Sequence, residues 1–290
     1  MKMMNVSFRF LSFLATASTA LLLGVQPSAQ AQPSADISNC HIHHGPLQIH
    51  TGQEWPQVQA PCLVIGGDLT IRHNTPPPAP VVAVQGSVKV TRFNGENLQL
   101  LRGLTRVDRD LEIEKSHALV NLSGLEDLEF VGEDLEIENN RKLQNIDALG
   151  KLTRVGESVQ IENNASLTSL RGFARLEQVV GGFDVEQNPQ LRTLEGLERL
   201  QSVGGDLGIE SNSQLQNLDA LQRVQHVGGD LEIKHNSSLQ SVRGLEALQN
   251  VSKDVEIENN RRLCQRDAAA LATRLNKPVH KVVRNQGRCR

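Results

Sequence analysis

The sequence predicts an all-β solenoid, a right-handed parallel β-helix of 24-residue coils with a short helical cap at its C-terminal end. Three observations carry this. First, apolar and polar positions recur every 24 residues: Ile113, Ile137, Ile161, Val185, Ile209, Ile233 and Ile257 form one series, and Leu119, Leu143, Leu167, Leu191, Leu215, Leu239 and Leu263 another. Second, each unit holds a stretch such as Asp134-Leu-Glu-Ile-Glu138, whose period-2 alternation marks a strand with one buried face. Third, aromatic residues make up 3% of the chain, with no Tyr and one Trp, so the core must be aliphatic. Thin, equivalent layers of Leu, Val and Ile fill such a core.

In chain order, residues 1–31 read as a signal peptide. Lys2 and Arg9 form a charged start, Phe10 to Val25 is apolar, and Ala29-Gln30-Ala31 is a small-x-small cleavage signal. Cleavage near Ala31 leaves 28 basic and 33 acidic residues, a net charge of -5. No other stretch approaches the roughly 20 apolar residues of a membrane span, so no transmembrane anchor is expected. The reading is of a secreted, periplasmic or cell-surface protein.

Residues 32–97 read as an N-terminal cap and irregular coils. Leu47-Gln-Ile49, Ile65-Gly-Gly-Asp-Leu69-Thr-Ile71 and Val84-Gln-Gly-Ser-Val88-Lys-Val90 keep the pattern, separated in one place by the stiff Thr75–Pro80 linker. Residues 98–262 hold the regular repeats, written L-x-x-L-x-G-L-x-x-L-x-x-V-G-x-D-L-x-I-x-x-N-x-x. The glycines before the Asp imply a corner with positive φ. The Asn74, Asn140, Asn164, Asn188, Asn212, Asn236 and Asn260 series implies a second corner, where stacked amides satisfy backbone groups and each other. The L-x-x-L-x-G-L-x-x-L segment lacks clean alternation; its glycines and short apolar spacing favour extended pieces over a helical turn. Residues 263–290 read as a disulfide-closed cap, with a helix over 265–275 and a strand over 279–283.

Four cysteines in an exported chain imply disulfides. Cys40 and Cys62 bracket the first coil, and Cys264 and Cys289 bracket the tail. An elongated stack of about nine coils keeps its ends apart, whereas a disulfide needs Cα atoms within about 7 Å. The pairing expected is therefore Cys40–Cys62 and Cys264–Cys289.

The D-L-x-I-x-x-N-x-x-L unit, with G-L-x-x-L-x-x-V-G before it, resembles the receptor L domain, the leucine-rich β-helix of insulin and EGF receptor ectodomains. The resemblance covers roughly Cys40 to Cys289. It implies a fold and a tendency to bind proteins or glycans on a sheet face. Cysteine-rich modules and a kinase are absent from the sequence, so receptor signalling does not carry over; the likeness is to free-standing exported L-domain-like proteins. The ordinary leucine-rich repeat is the competing pattern, and it differs by one residue after the asparagine.

The candidate binding face is acidic. Outward strand positions carry Glu112, Glu114, Glu136, Glu138, Glu162, Asp184, Glu186, Glu210, Glu232, Glu256 and Glu258, with breaks at Gln160, Gly208 and Lys234. Like charges facing each other across a sheet are destabilising. Three explanations compete: solubility, a protein or glycan partner with a basic surface, or a divalent cation such as calcium on a surface or adhesion protein. Calcium takes six to eight converging oxygens, and a flat row converges poorly. His41, His43, His44 and His50 cluster near Cys40, but their spacing matches no specific zinc site, so no metal is expected.

Arg102, Arg106, Arg154, Arg171, Arg175, Arg192, Arg199, Arg223 and Arg243 fall in the other half of the unit, which implies an electrically two-sided solenoid. Glycosylation sequons occur at Asn121, Asn164, Asn236 and Asn250, two of them by-products of the asparagine series. The acidic balance argues against a nucleic-acid partner. The same carboxylates recur in every coil and no nucleophile, phosphate loop or zinc motif stands out. The expectation is a non-catalytic binding or surface-structural protein without a cofactor. A polysaccharide-active β-helix enzyme is the alternative.

Overall fold

The Leu-Glu-Ile-Glu pattern becomes a strand because alternate side chains of an extended chain point to opposite faces. In Leu135–Glu138, Leu135 and Ile137 are fully buried while Glu136 and Glu138 stay partly exposed. The computed structural model describes residues 37–51, 55–278 and 281–289, which belong to one unit, Ala35–Arg290. The expected signal peptide, residues 1–31, lies outside the described residues.

Among the described residues the strands form two parallel sheets. The larger has 11 strands, running from Leu47–Ile49 through Leu135–Glu138 and Val255–Glu258 to Val282–Val283. The other has 10 strands, from His41–His43 through Phe130–Val131 to Asn250–Val251. Each chain passage contributes one strand to each sheet, so neighbours in a sheet come from successive coils. The register advances by 24 residues through the regular part, as in Leu135 opposite Val159 and Val159 opposite Phe183. The earlier coils are shorter: Leu69 lies opposite Val88, and Val88 opposite Leu111. The result is an all-β solenoid scaffold with one continuous core, mostly aliphatic but including Trp55, Phe93, Phe173 and Phe183, and one short C-terminal helix.

The L-x-x-L segment departs from the extended reading. Asp147–Leu149, Arg171–Phe173, Asp219–Leu221 and Arg243–Leu245 are 3₁₀ turns, and the strands after them are only two residues long. An i, i+3 apolar spacing is the period of the 3₁₀ helix. Leu149 N–H donates to Ile146 C=O at 3.0 Å and Leu152 N–H to Leu149 C=O at 2.8 Å, which puts Ile146, Leu149 and Leu152 in the core together.

The corners also differ from expectation. The glycine after each Val does not take a positive φ. It is needed for close approach: a Cβ on Gly156 would fall 1.9 Å from the Gly132 carbonyl oxygen of the preceding coil. Positive φ occurs instead just before the asparagine column, at Lys115, Asn139, Asn163, Gln187, Ser211, His235 and Asn259, all between 51° and 58°. One αL residue turns the chain sharply after the strand.

The asparagine column is buried and fully bonded. Each Oδ1 accepts the backbone N–H of the preceding coil's asparagine, as from Asn140 to Asn164 (3.1 Å) and from Asn164 to Asn188 (3.0 Å). Each Nδ2 donates to a carbonyl one coil back, as from Asn164 to Ile137 (2.7 Å). The column continues to Ser116 at one end and Asn285 at the other. Direct amide-to-amide bonding occurs at Asn260 and Asn285 (3.1 Å). Asn74 does not belong to the column, contrary to the sequence expectation: it is exposed, and Phe93 takes the buried position in the next coil. The sequons at Asn164 and Asn236 sit inside this buried column.

The V-G-x-D aspartate forms a second ladder. Asp134 Oδ1 accepts Ser158 N–H at 2.7 Å, and Asp206 Oδ1 accepts Asp230 N–H at 2.7 Å. Both disulfides are present: Cys40–Cys62 with Cα atoms 4.6 Å apart, and Cys264–Cys289 at 4.9 Å. Helix Gln265–Arg274 lays Ala268, Leu271 and Ala272 on the last coil. Arg274 donates to the Leu248 and Leu245 carbonyls at 2.6 and 2.7 Å. The terminal strand is Val282–Val283; Val279 and His280 of the expected strand lie outside the described residues. Among the described residues no helix is long and apolar enough to cross a membrane.

Candidate functional site

The outward face of the larger sheet presents two side-chain rows. Register places Lys89, Glu112, Glu136, Gln160, Asp184, Gly208, Glu232 and Glu256 in one, and Thr91, Glu114, Glu138, Glu162, Glu186, Glu210, Lys234 and Glu258 in the other. Parallel neighbours lie about 4.8 Å apart, so every carboxylate named from the sequence shares one face.

Sequence reasoning missed the lysines that bound this face. Lys89 opens the first row and pairs with Glu112 and, at 3.1 Å, with Glu114. Lys281 closes it, being in register with Glu256, and contacts Asp254 at 2.6 Å and Glu256 at 2.7 Å. Lys234 sits among Glu256, Glu232 and Glu210 at 2.7, 2.8 and 3.5 Å. The signal was partial: Val88-Lys-Val90 and Lys281-Val282 keep the strand pattern, but their coils depart from the 24-residue length.

Between Lys89 and Lys234 lies an uncompensated stretch. Glu136, Glu138, Glu162, Asp184 and Glu186 have no ion-pair partner among the described residues. The consequences differ along the face. The Lys115 ammonium holds the Glu114 carboxyl at about 2. Burial, then the Glu112 charge, raises Glu136; burial, then Glu162, raises Glu138. Burial pushes Asp184 up to about 6, with Asp206 and Glu162 adding repulsion. Burial pushes Glu186 up to about 7, with Glu210 and Glu162 adding to it. Burial likewise raises Glu210. Beyond the stretch the sign reverses, and hydrogen bonds from Lys234 and Lys281 lower Glu256. Gly208 leaves the space into which Asp184 leans.

The arginines lie off this face, but their side is of mixed charge. Arg171 pairs with Glu195 at 3.0 Å, Arg199 with Glu177 at 3.8 Å, and Lys151 with Asp127 at 2.7 Å. Arg106 pairs with Asp108 and stacks 4.3 Å over the Phe130 ring. Neighbouring acids thus accompany Arg106, Arg171 and Arg199 on that side.

Among the described residues no group of three or more His, Cys, Asp or Glu side chains is placed to hold a metal ion, which includes the histidines near Cys40. Three surface recesses are lined by residues that include Arg284, Pro77 and Arg92 respectively; none takes in Asp184 or Glu186. Comparison with protein-family models and with curated proteins found no match.

Proposed function

We propose that this chain is an exported, non-catalytic binding or surface-structural protein that recognises a basic protein or glycan surface on the acidic sheet face. The observation that carries this is the run of five unpaired carboxylates from Glu136 to Glu186. Elsewhere the face brings lysines into register to neutralise its carboxylates. Here burial, with repulsion from Glu210 and Glu162 adding to it, lifts Glu186 to about 7. A cationic partner would relieve that repulsion, so binding and the stability of the face would be coupled.

The finer structural reading is that the coils are right-handed and L-domain-like. It rests on the D-L-x-I-x-x-N-x-x-L unit, and sheet-face recognition is what that resemblance implies. The disulfides support placement outside the reducing cytoplasm, in a periplasm, on a cell surface or in the medium.

The test is binding of the mature protein to arrays of cationic proteins and amino-bearing glycans, repeated with Glu136→Lys and Glu138→Lys. Loss of binding in the charge-reversed variants supports the acidic face. Binding that survives both places the site elsewhere. A second reading, action on a polysaccharide, draws on Asp184 and Glu186 titrating near neutrality, where acid–base groups work. Polysaccharide turnover that is abolished by Glu186→Gln would favour that reading.

A further inference from the structure

The αL residue before each buried asparagine and the residue after that asparagine both face outward at the same corner. They form two parallel rows on either side of the asparagine column, and a recess opens between the rows near each end. Along the middle coils the paired positions are Asn163 and Ala165, Gln187 and Pro189, and Ser211 and Ser213, all uncharged. Over the last three coils they become His235 and Ser237, Asn259 and Arg261, and Arg284 and Gln286. These six residues line a recess of about 570 Å³.

Several features make this recess a receptor for negative charge. Its lining holds two arginines and no carboxylate. Arg261 and Arg284 are exposed, and neither has an ion-pair partner among the described residues. The rows are fixed in register: His235 N–H donates to Glu258 C=O at 3.0 Å, and Asn259 N–H to Val283 C=O at 3.2 Å. The αL conformation at His235, Asn259 and Arg284, with φ of 57–58°, holds the side chains of that wall in line. At the opposite end of the rows a smaller recess holds Arg92, Lys115 and His117, but Glu114 already engages Lys115.

We propose that the corner recess of His235, Ser237, Asn259, Arg261, Arg284 and Gln286 binds the anionic groups of an acidic polysaccharide. Guanidinium forks suit carboxylate and sulfate oxygens, which they contact through paired, charge-assisted hydrogen bonds. Amide and hydroxyl side chains suit sugar hydroxyls. The coil spacing of about 4.8 Å is close to one sugar of an extended chain, so successive residues could meet successive coils. The lining is polar and has no apolar pocket for the alternate side chains of an extended peptide. Carboxylates of the adjoining sheet repel a polyanion laid across them, which confines the contact to the corner.

Calorimetry on the mature protein tests this with oligogalacturonate, a sulfated dextran oligomer, neutral cellohexaose and poly-glutamate. Saturable binding of the uronate or the sulfated oligomer, without cellohexaose or poly-glutamate binding, is the expected result, and the stronger of the two identifies the anion. Arg261→Ala and Arg284→Ala should each weaken it by about tenfold or more, while Arg243→Ala should leave it unchanged. Circular dichroism melts establish that each variant is folded. Arg261→Glu, exposed and outside the disulfide, gives the same reading if Arg284→Ala destabilises the cap. No binding of either acidic oligomer, binding indifferent to both arginines, or equal binding of poly-glutamate overturns the proposal.

Discussion

The Asp184 carboxylate occupies the space that a side chain on Gly208 would need: a Cβ there would fall 2.3 Å from Asp184 Oδ1. Gly208 stands in the outward row between Asp184 and Glu232, so its missing side chain is also a missing charge. Gly208→Lys should therefore behave like Lys234, bridging carboxylates of adjacent coils. Gly208→Gln has a comparable steric demand without the charge. The lysine variant should melt about 2–4 °C above the glutamine one, corresponding to ~1 kcal/mol. Equal melting temperatures in low salt would mean that repulsion at Asp184 does not weaken the fold.

The asparagine column gives a larger effect. Asn188 Oδ1 accepts Asn164 N–H at 3.0 Å, and its Nδ2 donates to Ile161 C=O at 2.7 Å and Glu186 C=O at 2.8 Å. Asn188→Ala strands backbone groups in a fully buried corner. A loss of about 2–4 kcal/mol in urea unfolding is expected, since each buried unsatisfied group costs roughly 1–3 kcal/mol. Asn188→Asp should be at least as damaging at neutral pH, because it removes the donor and buries a charge.

The 24-residue period made the core and the strand legible, because Leu135, Ile137 and Asn140 each recur at fixed positions and burial selects for them. What single residues do at close range was less legible. Gly156 stands where the preceding coil's carbonyl passes, and nothing in its own sequence neighbourhood separates that role from a positive-φ turn. The 3₁₀ turns were hidden because L-x-x-L spacing without a capping signal suits more than one conformation. At the candidate face the acidic row was readable, but its neutralisation was not. Lys89 and Lys281 belong to coils whose lengths depart from 24 residues, so their register with Glu112 and Glu256 needed the strand pairing.

The acidic face should make the protein more stable as pH falls from 8 to about 5. Glu186 and Asp184 bind protons at about 7 and about 6 in the folded chain, against about 4 when unfolded. Between those values the native state holds protons that the unfolded state lacks, so stability decreases as pH rises through the window. The opposite contribution comes from Glu114, held at about 2 by Lys115; it is present above about 4 and is lost on further acidification. Melting temperature against pH should therefore peak near 5. Glu186→Gln should flatten the slope between 6 and 8, and a slope identical to wild type would remove Glu186 as its source.

The disulfides should protect the ends of the stack more than its middle. They close loops of 22 and 25 residues, each worth about 3 kcal/mol by restriction of the unfolded chain. In a stack, each coil is stabilised by its neighbours, and terminal coils have only one. Reduction should therefore speed amide exchange first in His41–His43, Leu47–Ile49 and the Gln265–Arg274 helix. The strands around Ile161, Val185 and Ile209 should remain protected, because their hydrogen bonds run to coils on both sides. Exchange followed by mass spectrometry, with and without reductant, separates the cases. A uniform rise along the whole chain would show that the caps and the central coils unfold as one unit, and an unchanged pattern would show that the helix and the buried Asn260–Asn285 contact hold the C-terminal end without the cross-link.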